Sequence, residues 1–303
     1  MPSFNGIVKD VPPALRLDRY VAEYLGILTR SQIKARSLSA KINGKDVKIS
    51  REVREGDALE LSWAESPPSL PVPENIPLDV LYEDGRVIVI NKPQGLVVHP
   101  GAGNSGGTLV NALLYRYGLK AENGMERPGI VHRLDKDTSG VMIAARDERA
   151  LDFLAEQFRK RKVRKTYAAL VRGNPRDERG RIETFICRDG RDRKRFTVSE
   201  TRGKAAVTFY RVIRRWDAYS LVLLRPKTGR THQLRVHLRW LGNPVAGDPL
   251  YAGKEDLFPE TGLMLHSRSL TLILPDHNTP DTFKAPMPRR FRYAARKLEG
   301  GDG

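Results

Sequence analysis

Apolar positions along this chain switch repeatedly between a spacing of three or four and a spacing of two, which predicts mixed helix and strand. Near the start, "LRLDRYVAEYLG" has its apolar residues at helical spacing and "TRSQIKARSLS" suggests a second short helix. "KINGKDVKIS" contains Asn43-Gly44, a pair that readily takes the positive φ of a tight hairpin turn, and "VREGDALELSW" ends as an alternating strand. A proline-rich stretch, "AESPPSLPVPENIP", then blocks regular structure. Beyond it, "RVIVINKP" and "GVMIAAR" read as short buried strands, and "AAVTFYRVIRRW" and "YSLVLLRPKTG" as a hairpin about Asp217-Ala218. Helices are expected in "LVNALLYRYG", in "ERALDFLAEQFRKRKV" with Asp147 as N-cap, and in "THQLRVHLRWLG". The fold class is α+β with much of the sheet antiparallel. The expected organisation is a small unit over residues 1–63, a linker over 64–78, a large unit over 79–295 and a frayed tail over 296–303.

Charge changes the picture. The 303 residues hold 53 Lys and Arg against 36 Asp and Glu, a net charge of +17. Such a field attracts polyanions, and nucleic acid is the first partner to consider, with a basic enzyme acting on a small acidic substrate as the plainer alternative. Cys187 is the only cysteine, so neither a disulfide framework nor a Cys-rich zinc site is available and a reducing compartment fits. The first residues lack an apolar signal core and no run approaches the roughly 18 apolar residues of a membrane span, which points to a cytoplasmic protein.

Several motifs fail on context. "GAGNSG", residues 101–106, matches G-x-G-x-x-G, but it follows His99-Pro100 rather than a strand and no parallel βαβ pattern follows, so it reads as a glycine turn before a helix over 108–118. His232 and His237 are one residue too far apart for a zinc-protease pair, and Gln233 stands where the glutamate would be, so structural hydrogen bonds are expected and no metal. Cys187, in "TFICRD", reads as a strand residue rather than a nucleophile. "RKRKVRKTY", residues 159–167, is a helix-end charge run that places cations beside Tyr167, a ring on which a base can stack. "RDGRDRKRF" is a second basic stretch.

Two helices, the Arg-Ser pair, "INGK" at the hairpin and the closing "V.EGD.L.L" resemble the S4 RNA-binding domain, although Leu38-Ser39-Ala40-Lys41 stands where that domain usually carries a glycine turn. Arg30, Lys34, Arg36 and Lys41 are the phosphate contacts this resemblance implies, within a segment, residues 30–51, of seven cations and one acid. Further on, "NKPQGLVVHPG", "VHRLDKDTSG", "RKTYAALVRG", "RPKTGRTHQLRVHL" and "GNPVAGDPLY" resemble, in order, the motifs of the RluA-type pseudouridine synthases. That resemblance spans roughly residues 80–275 and implies the pseudouridine synthase fold over 79–295.

It also implies a reaction. The N1–C1′ bond of a uridine in RNA breaks, the uracil turns while held, and C5 joins C1′; the step is redox-neutral, so no cofactor or metal is expected. The reaction needs an ionised carboxylate, either attacking or stabilising and deprotonating the opened state. The resemblance places this on Asp135, with Asp137 as the competitor beside Thr138 and Ser139, where a carboxylate supports a turn. It matches Arg230 to the arginine that pairs with the aspartate, Tyr167 to the tyrosine that packs on the uracil and is proposed to take the C5 proton, and Arg133 to the side chain that fills the gap left by the extruded base. Lys165 is expected to contact phosphate and His132 to support the turn. The implied partner is large-subunit ribosomal RNA or its precursor, most like the branch acting on helix 69, and the implied state a monomer. A non-catalytic RNA-binding ribosome-assembly factor would keep the charge but leave Asp135, Tyr167 and Arg230 unexplained, and a dinucleotide oxidoreductase rests on "GAGNSG" alone.

Overall fold

A computed structural model describes residues 1–64, 71–101, 104–118, 129–192, 194–253 and 256–300, without the side chains of Ser31, Lys34 and Ala35. The chain divides into two compact units, residues 1–69 and 70–303. The division falls within the expected linker, of which residues 65–70 lie outside the described residues.

The smaller unit opens with a strand absent from the sequence reading, β1 (Ser3–Ile7). The first expected helix is a single α turn, α1 (Leu17–Arg19), that widens into a π turn over Tyr20–Tyr24. Next come α2 (Arg30–Ala35), β2 (Ser39–Ile42), β3 (Lys45–Asp46) and β4 (Ala58–Ser62), with an antiparallel sheet order β1-β4-β2-β3. Asn43 and Gly44 both take positive φ, 51° and 75°, as the tight β2–β3 turn requires. Alternate residues of β2 and β4 (Ala40, Ile42, Leu59, Leu61) join Leu17, Val21 and Ile33 in one core.

The larger unit is built on β5 (Val80–Glu83), β6 (Val87–Lys92), α3 (Leu109–Tyr117), β7 (Ser139–Ala145), α4 (Glu148–Arg159), β8 (Arg164–Arg172), β9 (Arg179–Arg188), β10 (Phe196–Ser199), β11 (Lys204–Arg215), β12 (Tyr219–Pro226), α5 (Gln233–Trp240), β13 (Leu265–Ile273), β14 (Pro280–Lys284) and α6 (Arg289–Leu298). The sheet runs β10-β9-β11-β12-β8-β13-β7-β6-β5, with β14 on β13. Its described pairs are antiparallel except β7 with β13. Val87, Val89, Val141 and Ile143 pack with Ala150 and Leu154 of α4 on one face, while Ile88, Ile90, Met142 and Ala144 join the main core on the other. This two-sided burial explains the unbroken apolar runs of β6 and β7. No described helix is long and apolar enough to cross a membrane.

Helix ends follow the sequence cues. Asp147 accepts the Ala150 N–H at 2.8 Å, and Thr108 with Asn111 forms a reciprocal cap at the start of α3. Residues 102 and 103 of the glycine turn lie outside the described residues. One expectation is corrected: Arg296–Leu298 is the last turn of α6, anchored by buried Phe291 and Ala294, and not part of a frayed tail. Residues 301–303 lie outside the described residues.

Two buried histidines make stability depend on acid. Burial lowers His237 and His266 to about 4 from an ordinary 6.5, and both side chains are sealed from solvent. Between 6.5 and about 4 the unfolded chain binds protons that the folded chain does not, so stability is fully present above 6.5 and falls as pH falls, by up to about 1.4 kcal/mol per pH unit for each histidine. The denaturation midpoint of the larger unit, followed through Trp216 and Trp240, should drop between pH 6.5 and 4.5. His237→Gln should flatten that slope by about one proton, and a wild-type curve flat across the interval would exclude this linkage.

Candidate active site

One register row crosses the sheet and brings Tyr167 and Tyr210 into the cavity that holds Asp135. Lys92 of β6 stands opposite Gly140 of β7, Gly140 pairs with Ser267 of β13, Ser267 with Tyr167 of β8, Tyr167 with Leu224 of β12, and Leu224 with Tyr210 of β11. Gly140 has φ +111°, and a Cβ there would run into the Ser267 carbonyl, so only glycine fits this crossing. The "LDKDTSG" segment enters β7 at this point. Asp135 is thereby placed above the row, with its carbonyl accepting the Thr138 N–H at 3.1 Å.

The loop is tied from below and from the side. Lys92 is fully buried, and its Nζ donates to the carbonyls of Pro93 (2.9 Å), Leu96 (2.7 Å) and Lys136 (2.9 Å). Burial pushes its ammonium down to about 7, opposed by the nearby charges of Asp137 and Asp135. His132 Nε2 accepts the Ile143 N–H at 3.2 Å, and the ring stacks on Phe158 with centroids 4.6 Å apart. Burial lowers His132 to about 3, so it is a neutral brace. This gives it a purpose beyond turn support: it fastens the loop to the β7 ladder.

The arginine beside Asp135 is Arg235, and the expected partner Arg230 is not. Arg235 Nη1 lies 3.6 Å from Asp135 Oδ2, while Nε and Nη2 donate to the two oxygens of buried Asp248 at 2.6 and 2.7 Å. Burial works against the Arg235 charge, but the bonds and charge of Asp248, helped by Asp135, outweigh it and hold the guanidinium above its ordinary pKa. Asp248 also accepts the N–H groups of Leu250 and Tyr251, so the "GDPLY" turn exists to aim this arginine. Arg230, in the turn before α5, donates through Nε to the Ala205 carbonyl at 3.0 Å, and forms no ion pair with the aspartate among the described residues. At 3.6 Å the charges of Asp135 and Arg235 compensate, and among the described residues the carboxylate accepts no closer side-chain bond. Its neighbour His232, 3.9 Å from Asp135 Oδ2, caps α5 in a left-handed conformation (φ 54°) and shares a hydrogen bond of 3.0 Å with the Tyr251 hydroxyl.

The remaining "THQLRVH" side chains are structural. Gln233 Oε1 accepts from Thr228 Oγ1 and the Arg230 N–H, and its Nε2 donates to the Val207 carbonyl and Thr208. His237 is held between Thr184 and Thr208, at 3.0 and 2.9 Å.

Tyr167 is buried next to Ser267, and burial raises its phenol well above the ordinary value. It therefore stands protonated at neutral pH. A phenol offers a ring face and an O–H, and takes a proton from carbon only when its own leaves.

Asp135, Tyr167, Arg133, Lys165, Arg230 and Arg235 all line one cavity of about 1190 Å³. Arg133 is exposed, with Nη1 3.5 Å from His99 Nε2. Lys165 is half-buried and its pKa lowered by desolvation, so it is a lining cation rather than an exposed phosphate contact. Arg159, Arg161, Lys162, Arg179, Arg211 and Arg225 extend the positive lining. In the smaller unit Arg30 is ion-paired with buried Asp18 at 3.0 Å and is not a free cation. Arg36 is half-buried, Lys41 exposed, and the Lys34 side chain lies outside the described residues.

A basic cleft holding one carboxylate, compensated by an arginine that a second buried carboxylate aims, suits a polyanionic substrate. The family described as RNA pseudouridylate synthase matches residues 86–240. A protein named ribosomal large subunit pseudouridine synthase D from Borreliella burgdorferi is 45% identical over 287 residues, covering 92% of this chain and 88% of that protein. One of the same name from Xylella fastidiosa is 42% identical, covering 93% and 88%. Among solved structures, human RNA pseudouridylate synthase domain containing 4 is similar with a TM-score of 0.58 and 28% identity, covering 73% of this chain and 93% of its own. The chain belongs to the RNA pseudouridylate synthase family.

Proposed function

We propose that this protein converts specific uridines of large-subunit ribosomal RNA to pseudouridine, with Asp135 as the nucleophile or base at the sugar. The observation that carries the mechanism is the Asp135–Arg235–Asp248 chain. Arg235 sets a compensating positive charge 3.6 Å from the Asp135 carboxylate, and Asp248 fixes the direction of that charge through two hydrogen bonds. In this reading Tyr167 packs on the extruded uracil, and its hydroxyl takes the C5 proton only if a neighbour relays its own proton away. Arg133 enters the space the base leaves. The reaction moves one glycosidic bond and one proton within the nucleotide, so it draws on no cofactor. The names of the relatives support large-subunit RNA as the substrate.

In the same reading the N-terminal unit is an S4-like module that tracks phosphates through Arg36, Lys41 and neighbouring cations, and the protein acts as a cytoplasmic monomer. The test is incubation of the full chain with unmodified large-subunit RNA, followed by tritium release from 5-labelled uridine and mapping of carbodiimide-dependent stops. Pseudouridine at a few defined positions is expected. Tight RNA binding without any stop would instead support a non-catalytic assembly factor.

A further inference from the structure

The cavity that holds Asp135 is larger than one nucleotide needs: at about 1190 Å³ it exceeds the roughly 300–1,000 Å³ typical of small-ligand pockets. Part of its wall is the β9-β11-β12 face. Phe209 sits there, 38% exposed, directly across from Arg181 on β9 and Arg225 on β12. Arg211, two residues on along β11, stands opposite Arg179 and adds to the same lining. Of the large apolar side chains left exposed among the described residues, Phe209 is the one that lines this cavity. A lone exposed phenylalanine is ordinary on a protein surface. One set among four arginines, in the cavity of an RNA-modifying site, is not explained by packing.

We propose that Phe209, which the strand pleat sets on the sheet face opposite Tyr167 and Tyr210, is a stacking platform for a second, unpaired base of the RNA where the strand runs on past the target uridine, with Arg179, Arg211 and Arg225 taking the adjoining phosphates. An aromatic face with flanking cations is the arrangement that holds single-stranded nucleic acid, because every base has a π-face and every linkage a charge. The occupant is RNA rather than protein because the cavity side chains flanking Phe209, Arg179, Arg211 and Arg225, are all cationic, while Glu183 pairs with Arg181. The platform thereby makes the enzyme favour targets whose neighbour can leave its own helix.

The inference rests on the proposed reaction but is read through binding as well as turnover. Phe209→Ala, Phe209→Leu and Phe209→Tyr would be compared in the full chain on one rRNA fragment, with 2-aminopurine placed at each position flanking the target. Phe209→Ala and Phe209→Leu should lose about ten- to hundredfold in kcat/KM, the effect of one stacked base, mostly through KM. They should also abolish the quenching of 2-aminopurine at one flanking position. Phe209→Tyr should stay within about threefold of wild type, and Phe185→Ala, exposed on β9 outside the cavity, should match wild type. Leucine rescuing as well as tyrosine, quenching unchanged in Phe209→Ala, or a change in sedimentation in place of RNA affinity would each overturn the platform. If the wild type makes no pseudouridine, the reaction fails, yet the quenching series still decides whether Phe209 stacks on a base.

Discussion

Replacing Arg235 by alanine is expected to damage both the reaction and the fold, whereas replacing Arg230 is expected to touch neither severely. Without Arg235, Asp248 is left buried and unpaired and Asp135 loses its compensating charge. Breaking such a pair from one side costs about 3–5 kcal/mol of stability, and the single-turnover rate should fall by a further factor of about 10²–10³, as when one preorganised charge partner is removed. Arg235→Lys should recover only part, because an ammonium cannot reproduce the two-toothed bond to Asp248. Asp248→Asn should reproduce much of the rate loss, and the double variant should fall short of the sum, since both act through one guanidinium. Urea titration and single-turnover tritium release measure the two effects separately. Arg230→Ala should weaken RNA affinity by a few fold through the cleft's positive lining. Loss of the chemical step in Arg230→Ala with Arg235→Ala unaffected would return the role to Arg230.

The second large effect concerns the carboxylate itself. Asp135→Asn should lower isomerisation by at least about 10⁴-fold, the scale on which a group forming the covalent or charged intermediate acts. RNA binding should persist or tighten slightly, because neutralising one carboxylate among phosphates removes a repulsion. Asp137→Asn should retain measurable turnover. Wild-type rates in Asp135→Asn would remove the assignment, and complete loss in Asp137→Asn alone would transfer it.

The contrast between the two arginines shows where the sequence was readable. Both stand in "GRTHQLRVHL", and the resemblance points to that segment, but it matches the paired arginine to Arg230 rather than Arg235. The usable signal for Arg235 was its setting: a cation between Leu234 and Val236 on a helix whose neighbours are buried must have a buried partner. The "GDP" aspartate supplies it, and that pairing is set by tertiary geometry. Helices α3, α4 and α5 were legible because caps and apolar spacing agreed. Helix α6 was not, because five cations in the nine residues 289–297 mask the helical spacing of Phe291, Ala294 and Leu298. Strand β13 escaped for the opposite reason. Its "HSRS" breaks the apolar alternation, and only the partners of His266 and Ser267, the Ser139 hydroxyl and the Val141 carbonyl, make those polar groups acceptable in the middle of a sheet.

Lys92 carries a consequence for the substrate. Three main-chain carbonyls grip its ammonium from beneath, and one of them belongs to the residue directly after Asp135. With His132 pinned to β7 on the other side, the loop has little room to adapt to an incoming nucleotide. The deformation needed to bring sugar and carboxylate together therefore falls on the nucleic acid. An enzyme built this way sorts uridines by how little it takes to pull each one from its stack, so bulged and loop uridines react ahead of the same base inside an unbroken duplex. The choice of target is then written largely in the mechanics of the RNA.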